Sequence, residues 1–109
     1  MGSTFTRYKA PAFVSLDLTP TFTTALLGKD LDLGLAAARQ LDVPMPLAAA
    51  TQAIVHSAVG RGHGAEDFAA LLLEVARNAG IELQPEAVAV DDGLAAPSPA
   101  TVALQPTAV

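Results

Sequence analysis

The sequence contains no cysteine and no tryptophan, and its aromatic residues are four phenylalanines and one tyrosine. Without cysteine, a disulfide framework, a thiolate zinc site and a cysteine nucleophile are all excluded. The six lysines and arginines are scattered, and the net charge is −5 at pH 7. Nucleic-acid-binding proteins need a concentrated positive surface, so we expect no nucleic-acid partner.

Long apolar runs are also missing. No run of about 18 apolar residues occurs, so we expect no transmembrane helix and no membrane partner. The N-terminal residues lack the charged start and apolar run of a signal peptide. Residues 1–6 match the loose pattern for N-myristoylation, but that pattern is short and common, and we interpret it as a truncation point or a tag scar. A cytoplasmic protein is expected, and the lack of cysteine suits that compartment.

Alanine, leucine and valine are abundant instead. Apolar residues make up 51% of the 109 residues, enough for one small domain with a core. Alanine and leucine favour helices, and few stretches alternate as strands do. We therefore predict an all-α fold, a small helical bundle.

The chain divides into three predicted segments. Residues 1–18 are interpreted as a truncation or tag scar plus the remnant of a preceding element, in which Pro11 is expected to break any helix. Residues 19–83 are predicted to form a helical domain. Residues 84–109 contain four of the eight prolines and no helical period, so we expect a disordered tail.

The spacing of apolar residues predicts three helices in the middle segment. The first is expected to have Thr19 as its N-cap and Pro20 at its first helical position. Three glycines in residues 60–64 predict a flexible turn, and Gly80 is expected to end the third helix. The predicted helices cover residues 21–41, 46–59 and 65–79.

A charged residue lies on the apolar side of the first predicted helix. That side consists of Phe22, Leu26, Lys29 and Leu33. Two interpretations of Lys29 are open. In the first, the aliphatic part of its side chain lies along the apolar surface and its ammonium group reaches solvent. In the second, the ammonium is held against an anionic or polar ligand. The neighbouring Asp30 is expected to be partly covered, whereas Asp32 is predicted to be solvated surface.

Three stretches follow one another in a distinctive order. Residues 22–36 have the pattern F-x6-K-D-L-x-L-x-L-A, residues 43–47 are V-P-M-P-L, and residues 60–71 contain G-x-G-x-x-D-x-A-A-L. Together they resemble the C-terminal domain of the β-hydroxyacid dehydrogenase family, of the 3-hydroxyisobutyrate dehydrogenase and 2-hydroxy-3-oxopropionate reductase type. The resemblance covers about residues 20–80.

The resemblance implies a fold, a function and a site. The fold would be the helical bundle of 6-phosphogluconate dehydrogenase-like enzymes, and the parent protein would be an NAD(P)-dependent oxidoreductase of small β-hydroxyacids, forming dimers or tetramers. In that family the helical domain closes over a cleft shared with a Rossmann domain. By position, Lys29 would approach the cofactor, Phe22 would line the substrate side, and Asp30 would support the site by hydrogen bonding.

Two parts of the family's machinery are absent from these residues. There is no strand followed by a G-x-G-x-x-G phosphate loop, and no G-x-x-G-x-x-x-K-x-x-N motif carrying the main catalytic lysine. The surroundings of Lys9, the only other lysine, do not fit that motif. We therefore expect no catalytic residue, bound cofactor or turnover in this chain alone. The alternative is a non-catalytic helical interaction or dimerisation module derived from the family.

The two histidines give little support to a metal site. His56 lies on the second predicted helix and His63 in the glycine-rich turn, without a clear carboxylate partner. No metal is expected, and His56 is predicted to be a surface or interface residue. Glu74 and Arg77 are predicted to pair across one turn of the third helix.

Overall fold

The computed structural model describes residues 2–94, which form four helices joined by turns. A π-helical turn and a short 3-10 turn connect the last two helices. The elements are α1 Thr4–Val14, α2 Thr24–Gln40, α3 Pro46–Ala58, the π-helical turn Val59–His63, the 3-10 turn Phe68–Ala70 and α4 Leu71–Asn78. The predicted all-α bundle is confirmed. None of the helices in this part of the chain is long and apolar enough to cross a membrane.

Helix α1 occupies a segment in which Pro11 was expected to break any helix, and that expectation is wrong. Ser3 caps the helix by accepting a hydrogen bond from the N–H of Thr6 at 3.0 Å. Pro11 lies near the C-terminal end, so the helix loses one backbone hydrogen bond there. Burial of one side of α1, with Lys9 and Ala12, compensates for that loss.

Helix α2 begins later than predicted, with Thr23 rather than Thr19 as its N-cap. The residues before it are extended, since their backbone groups bind another part of the chain. The N–H of Phe68 donates to the carbonyl of Phe22 at 2.9 Å, and the N–H of Thr24 donates to the carbonyl of Glu66 at 2.9 Å. These long-range hydrogen bonds replace the ones that an earlier helical turn would have made.

Helices α2 and α3 pack closely on each other. The side of α2 that turns inward is not the predicted apolar stripe but a different set of buried and half-buried residues, namely Thr24, Gly28, Leu31, Leu35 and Ala38. A Cβ added at Gly28 would lie 3.4 Å from Cγ1 of the fully buried Val55. Only a very small residue therefore fits at this crossing. Helix α3 begins at Pro46 as predicted and ends at Ala58, one residue earlier than expected.

The connection from α3 to α4 is more ordered than the predicted flexible turn. A π-helical turn covers Val59–His63, with Gly62 at φ 98°, a value that favours glycine. Helix α4 starts at Leu71 instead of near residue 65, because residues 66–68 bind the segment before α2. Its last residue is Asn78. Gly80 follows as the predicted stop, with φ at 69° and the N–H of Ile81 donating to the carbonyl of Ala76 at 2.8 Å.

The chain after α4 runs along α1 as far as the structure describes it. The N–H of Glu86 donates to the carbonyl of Val14 at 2.8 Å, and Asp91 lies 3.5 Å from Arg7. Residues 84–94 contain no helix. The remainder of the predicted tail, residues 95–109, lies outside the described residues, so its disorder stays a prediction.

Candidate functional site

The side of α2 that carries Lys29 is open to solvent. Lys29 is exposed, and so is Asp30, which was predicted to be partly covered. The flanking Leu26 and Leu33 are 45% and 61% exposed. Of the predicted apolar stripe, only Leu26 and Leu33 lie beside Lys29 on α2, and nothing within residues 2–94 buries them.

Phe22 lies outside helix α2, in the extended segment before its N-cap. Its ring is half-buried and meets the Phe68 ring edge-on, with centroids 6.2 Å apart and an interplanar angle of 74°. Lys29 follows six residues after Thr23, roughly 9 Å along the helix axis. Phe22 thus lies just before α2 and Lys29 lies within its N-terminal half. The two residues are held by different parts of the fold.

Asp32 is not the purely solvated residue that the sequence predicted. Its Oδ1 accepts a hydrogen bond from Nε2 of Gln52 and lies 3.4 Å from Nε2 of His56. His56 accordingly lies at the contact between α2 and α3, as predicted for an interface residue. Both side chains of the Asp32–His56 pair are about half exposed, so the pair adds no more than about 1 kcal/mol to stability.

A buried carboxylate joins three parts of the chain. Asp67 accepts hydrogen bonds from Nζ of Lys9 at 2.8 and 3.0 Å, and from the N–H and hydroxyl of Thr21 at 3.1 and 3.0 Å. It also accepts from the N–H of Phe22 at 3.3 Å and from the N–H of Ala69 at 3.0 Å. Asp67 therefore connects α1, the segment before α2 and the 3-10 turn before α4.

The environment of Asp67 keeps it ionised. Burial alone would raise the pKa of Asp67, but hydrogen bonds from Lys9 and from the backbone N–H groups of Ala69 and Thr21 outweigh it and hold that pKa well below its usual range. The Lys9 Nζ, on a residue only 4% exposed, also lies 4.3 Å from the centre of the Phe68 ring. The result is a buried ion pair between an ammonium and a carboxylate, in contact with an aromatic ring.

The sequence does not predict this pair. The helix predicted over residues 65–79 would include Asp67, whereas Asp67 is the N-cap of the 3-10 turn. One signal was present, because an aspartate directly before the apolar run 68–72 is typical of a cap. No local signal could link two residues that are 58 positions apart.

Glu74 also differs from its prediction. It is buried, accepts a hydrogen bond from the hydroxyl of Ser57 at 2.6 Å and lies 3.2 Å from Arg61. The predicted pairing with Arg77 is wrong because this side of α4 faces α3 and the π-helical turn. Glu74 thus connects α4 to α3 through Ser57 and to the π-helical turn through Arg61.

The histidines form separate contacts. His63 Nδ1 lies 2.7 Å from a carboxylate oxygen of Glu66, and His56 lies beside Asp32. In the range 2–94, no three side chains of histidine, cysteine, aspartate or glutamate are grouped as a metal ion would need.

Comparisons with known proteins support the resemblance noted for the three sequence stretches. A family model described as NAD-binding of NADP-dependent 3-hydroxyisobutyrate dehydrogenase matches residues 1–75. The chain is 43% identical over 68 residues to the 3-sulfolactaldehyde reductases of Escherichia coli (strain K12) and Shigella flexneri. This match covers 62% of the chain but 23% of each relative, so the chain spans less than a quarter of their length.

Proposed function

Because the chain belongs to the β-hydroxyacid dehydrogenase family, of the 3-hydroxyisobutyrate dehydrogenase type, we propose that it acts as the C-terminal domain of an NAD(P)-dependent oxidoreductase. The oxidoreductase would oxidise small β-hydroxyacids, and this domain would close over a cofactor bound by a Rossmann domain. Its relatives are named for reduction of 3-sulfolactaldehyde. Aldehyde reduction is hydride transfer in the opposite direction, so small acidic aldehydes are candidate substrates too.

The observation that carries the proposal is the uncovered face of α2. Leu26 and Leu33, on either side of Lys29, are 45% and 61% exposed. Covering two leucines with another domain and its cofactor removes apolar area from water, which is favourable. The same closure places the Lys29 ammonium against a polar or anionic group in a setting of low dielectric, where its attraction is stronger than in water.

In this proposal the residues would form one wall of a nicotinamide cleft, and not its phosphate-binding part. When bound, NAD(P) supplies the acceptor or donor of hydride. Lys29 would hold an oxygen of the cofactor or substrate, Phe22 would keep water away from the substrate side, and Asp30 would support the site by accepting a hydrogen bond. The proton donor would come from the rest of the oxidoreductase, since the motif of the family's catalytic lysine is absent from these 109 residues.

Substitution of Lys29 tests the proposal in the oxidoreductase that contains this domain. We expect Lys29→Ala to lower kcat/KM by roughly tenfold to a hundredfold, with a nearly unchanged melting temperature, because an exposed side chain contributes to the site and not to the core. Steady-state kinetics with 3-hydroxyisobutyrate and with 3-sulfolactaldehyde would measure the loss.

The matched control is Arg39→Ala, which removes another exposed cation from the last turn of the same helix. It should leave kcat/KM unchanged. An unaltered kcat/KM in Lys29→Ala would instead assign Lys29 to the solvated surface.

A second candidate function is a non-catalytic helical interaction or dimerisation module derived from the same family. It is favoured by exposed apolar side chains away from the face of α2, such as Leu47 at 83% and Val75 at 55% exposure. Calorimetry with NAD and NADP separates the two candidates. Self-association of the complete protein without nucleotide binding would support the module and contradict the oxidoreductase.

A further inference from the structure

We infer that Lys9 and Asp67 are positioning residues for Phe22, the side chain that the proposed function assigns to the substrate side of the cleft. The enzymatic part of this inference rests on the proposed function. The structural part concerns contacts within this chain and can be tested without catalysis.

The position of Phe22 is set by long-range contacts and not by a helix. Phe22 precedes the N-cap Thr23, so no helical hydrogen bond holds it. Its N–H donates to Asp67 at 3.3 Å, its carbonyl accepts from the N–H of Phe68 at 2.9 Å, and its ring packs edge-on against the Phe68 ring. Asp67 and Phe68 therefore determine where the Phe22 side chain lies.

Lys9 acts on both of these neighbours. Asp67 is 1% exposed, and a carboxylate buried to that degree stays ionised only with a partner, which the Lys9 ammonium supplies at 2.8 Å. The same ammonium lies over the Phe68 ring at 4.3 Å. Removing the charge of Lys9 leaves the Asp67 carboxylate without its counter-ion and releases the ring on which Phe22 packs.

Lys29 depends on a different set of contacts. It belongs to α2, which is held against α3 where Gly28 meets Val55. Loss of Lys9 should therefore displace Phe22 and leave Lys29 in place. In the proposed cleft this predicts a selective effect, in which binding of the hydroxyacid weakens while binding of the nucleotide does not.

The test is Lys9→Met in the oxidoreductase, which keeps a long apolar side chain and removes the charge. We expect the KM for the hydroxyacid to rise about tenfold while the KM for the nucleotide stays within about twofold. Arg7→Met, on the exposed side of the same helix, is the matched control and should change neither KM.

A double-mutant cycle with Phe22→Leu distinguishes positioning from general stabilisation. If Lys9 acts through Phe22, Lys9→Met should have little further effect on the KM for the hydroxyacid once Phe22 is replaced. Additive effects, or equal increases in both KM values, would overturn the inference. Should Lys9→Met not fold, Thr21→Val takes its place, because it removes the hydroxyl that donates to Asp67 at 3.0 Å.

The 109-residue chain provides a readout that does not need catalysis. In Lys9→Met, amide hydrogen exchange measured by NMR should become faster at Phe22 and Thr21, and stay unchanged at Gly28 in α2. Unchanged exchange at Phe22 would overturn the inference even in an active enzyme. Faster exchange at Phe22, in a complete protein that lacks NAD(P)-dependent turnover, would contradict the proposed function and leave the positioning role of Lys9 supported.

Discussion

At the scale of single residues, the Lys9–Asp67 ion pair joins two side chains that are almost fully buried. Removing one partner of a buried pair is strongly destabilising, because the other charge is left without compensation. In this fold the destabilisation would extend beyond the pair, since the Asp67 carboxylate also accepts hydrogen bonds from the backbone N–H groups of residues 21, 22 and 69. The pair therefore stabilises α1, the start of α2 and the 3-10 turn together.

Asp67→Asn should reduce the stability of the chain in a way that depends on pH. The folded pKa of Asp67 is lowered, while the unfolded pKa is about 3.9. Its stabilisation is therefore complete above the unfolded pKa and is lost as the pH falls toward the folded pKa. At pH 7 we expect the variant to lose about 3 kcal/mol in the free energy of unfolding.

Urea denaturation across an acid pH series would measure this effect. The difference between the unmodified chain and Asp67→Asn should shrink as the pH falls below about 4, because the native carboxylate then becomes protonated too. Other carboxylates titrate in both proteins and cancel in the comparison. If the difference in free energy of unfolding between the two proteins stayed constant across the pH series, Asp67 would not titrate with a lowered pKa.

At the scale of elements, the contact between α2 and α3 depends on a small residue at Gly28. Its added Cβ would lie at ordinary van der Waals distance from Val55, so one methyl group is accommodated and a longer side chain is not. Gly34, on the exposed side of the same helix, has no atom within 4 Å of an added Cβ. Comparing the same substitution at the two glycines therefore separates the effect of helix propensity from the effect of packing.

We expect Gly28→Leu to destabilise the chain by about 1–3 kcal/mol, because the side chain overfills the contact with α3. Gly34→Leu should raise the free energy of unfolding by up to about 1 kcal/mol, because leucine favours a helix more than glycine and meets no obstacle. Thermal and urea denaturation would compare the variants. Equal effects at the two positions would mean that α2 and α3 are not in close contact at Gly28.

At the scale of the whole molecule, much apolar surface stays uncovered within residues 2–94. A groove of about 240 Å³ between α1 and α4 is lined by Phe13, Phe68, Leu72 and other apolar residues. Ile54 on α3 and Val75 on α4 are 40% and 55% exposed. Apolar patches of this kind usually mark association surfaces, which is consistent with the oligomer implied by the family resemblance.

We expect the chain to self-associate through α3 and α4, with Ile54, Leu72 and Val75 at the contact, most simply as a symmetric dimer. Val75→Glu should shift the population toward monomer, because the contact would have to bury an unpaired charge. Val88→Glu, at a similarly exposed valine after α4, is the matched control. Light scattering at micromolar concentration would measure the masses. A monomeric unmodified chain, or an unchanged mass for Val75→Glu, would contradict the prediction.

Features that depend on neighbouring residues could be predicted from the sequence alone. The composition predicts an all-α fold, Pro46 marks the start of α3, and Gly80 marks the end of α4, because propensity and capping act within a few residues. The three stretches indicate the family, and the spacing of apolar residues predicts that Lys29 lies between Leu26 and Leu33 on one side of a helix. None of these predictions depends on which distant segments of the chain come into contact.

Features that depend on distant segments were decided by the tertiary structure. Both α2 and α4 start later than predicted, because residues 21–24 and 66–68 bind each other instead of extending a helix. The side of α2 that is buried follows from packing on α3. Leu26 and Leu33 are exposed because no element within residues 2–94 packs on the other side of α2. Lys9 and Asp67 became partners because folding brings α1 against the 3-10 turn, where two buried charges stabilise each other only in contact.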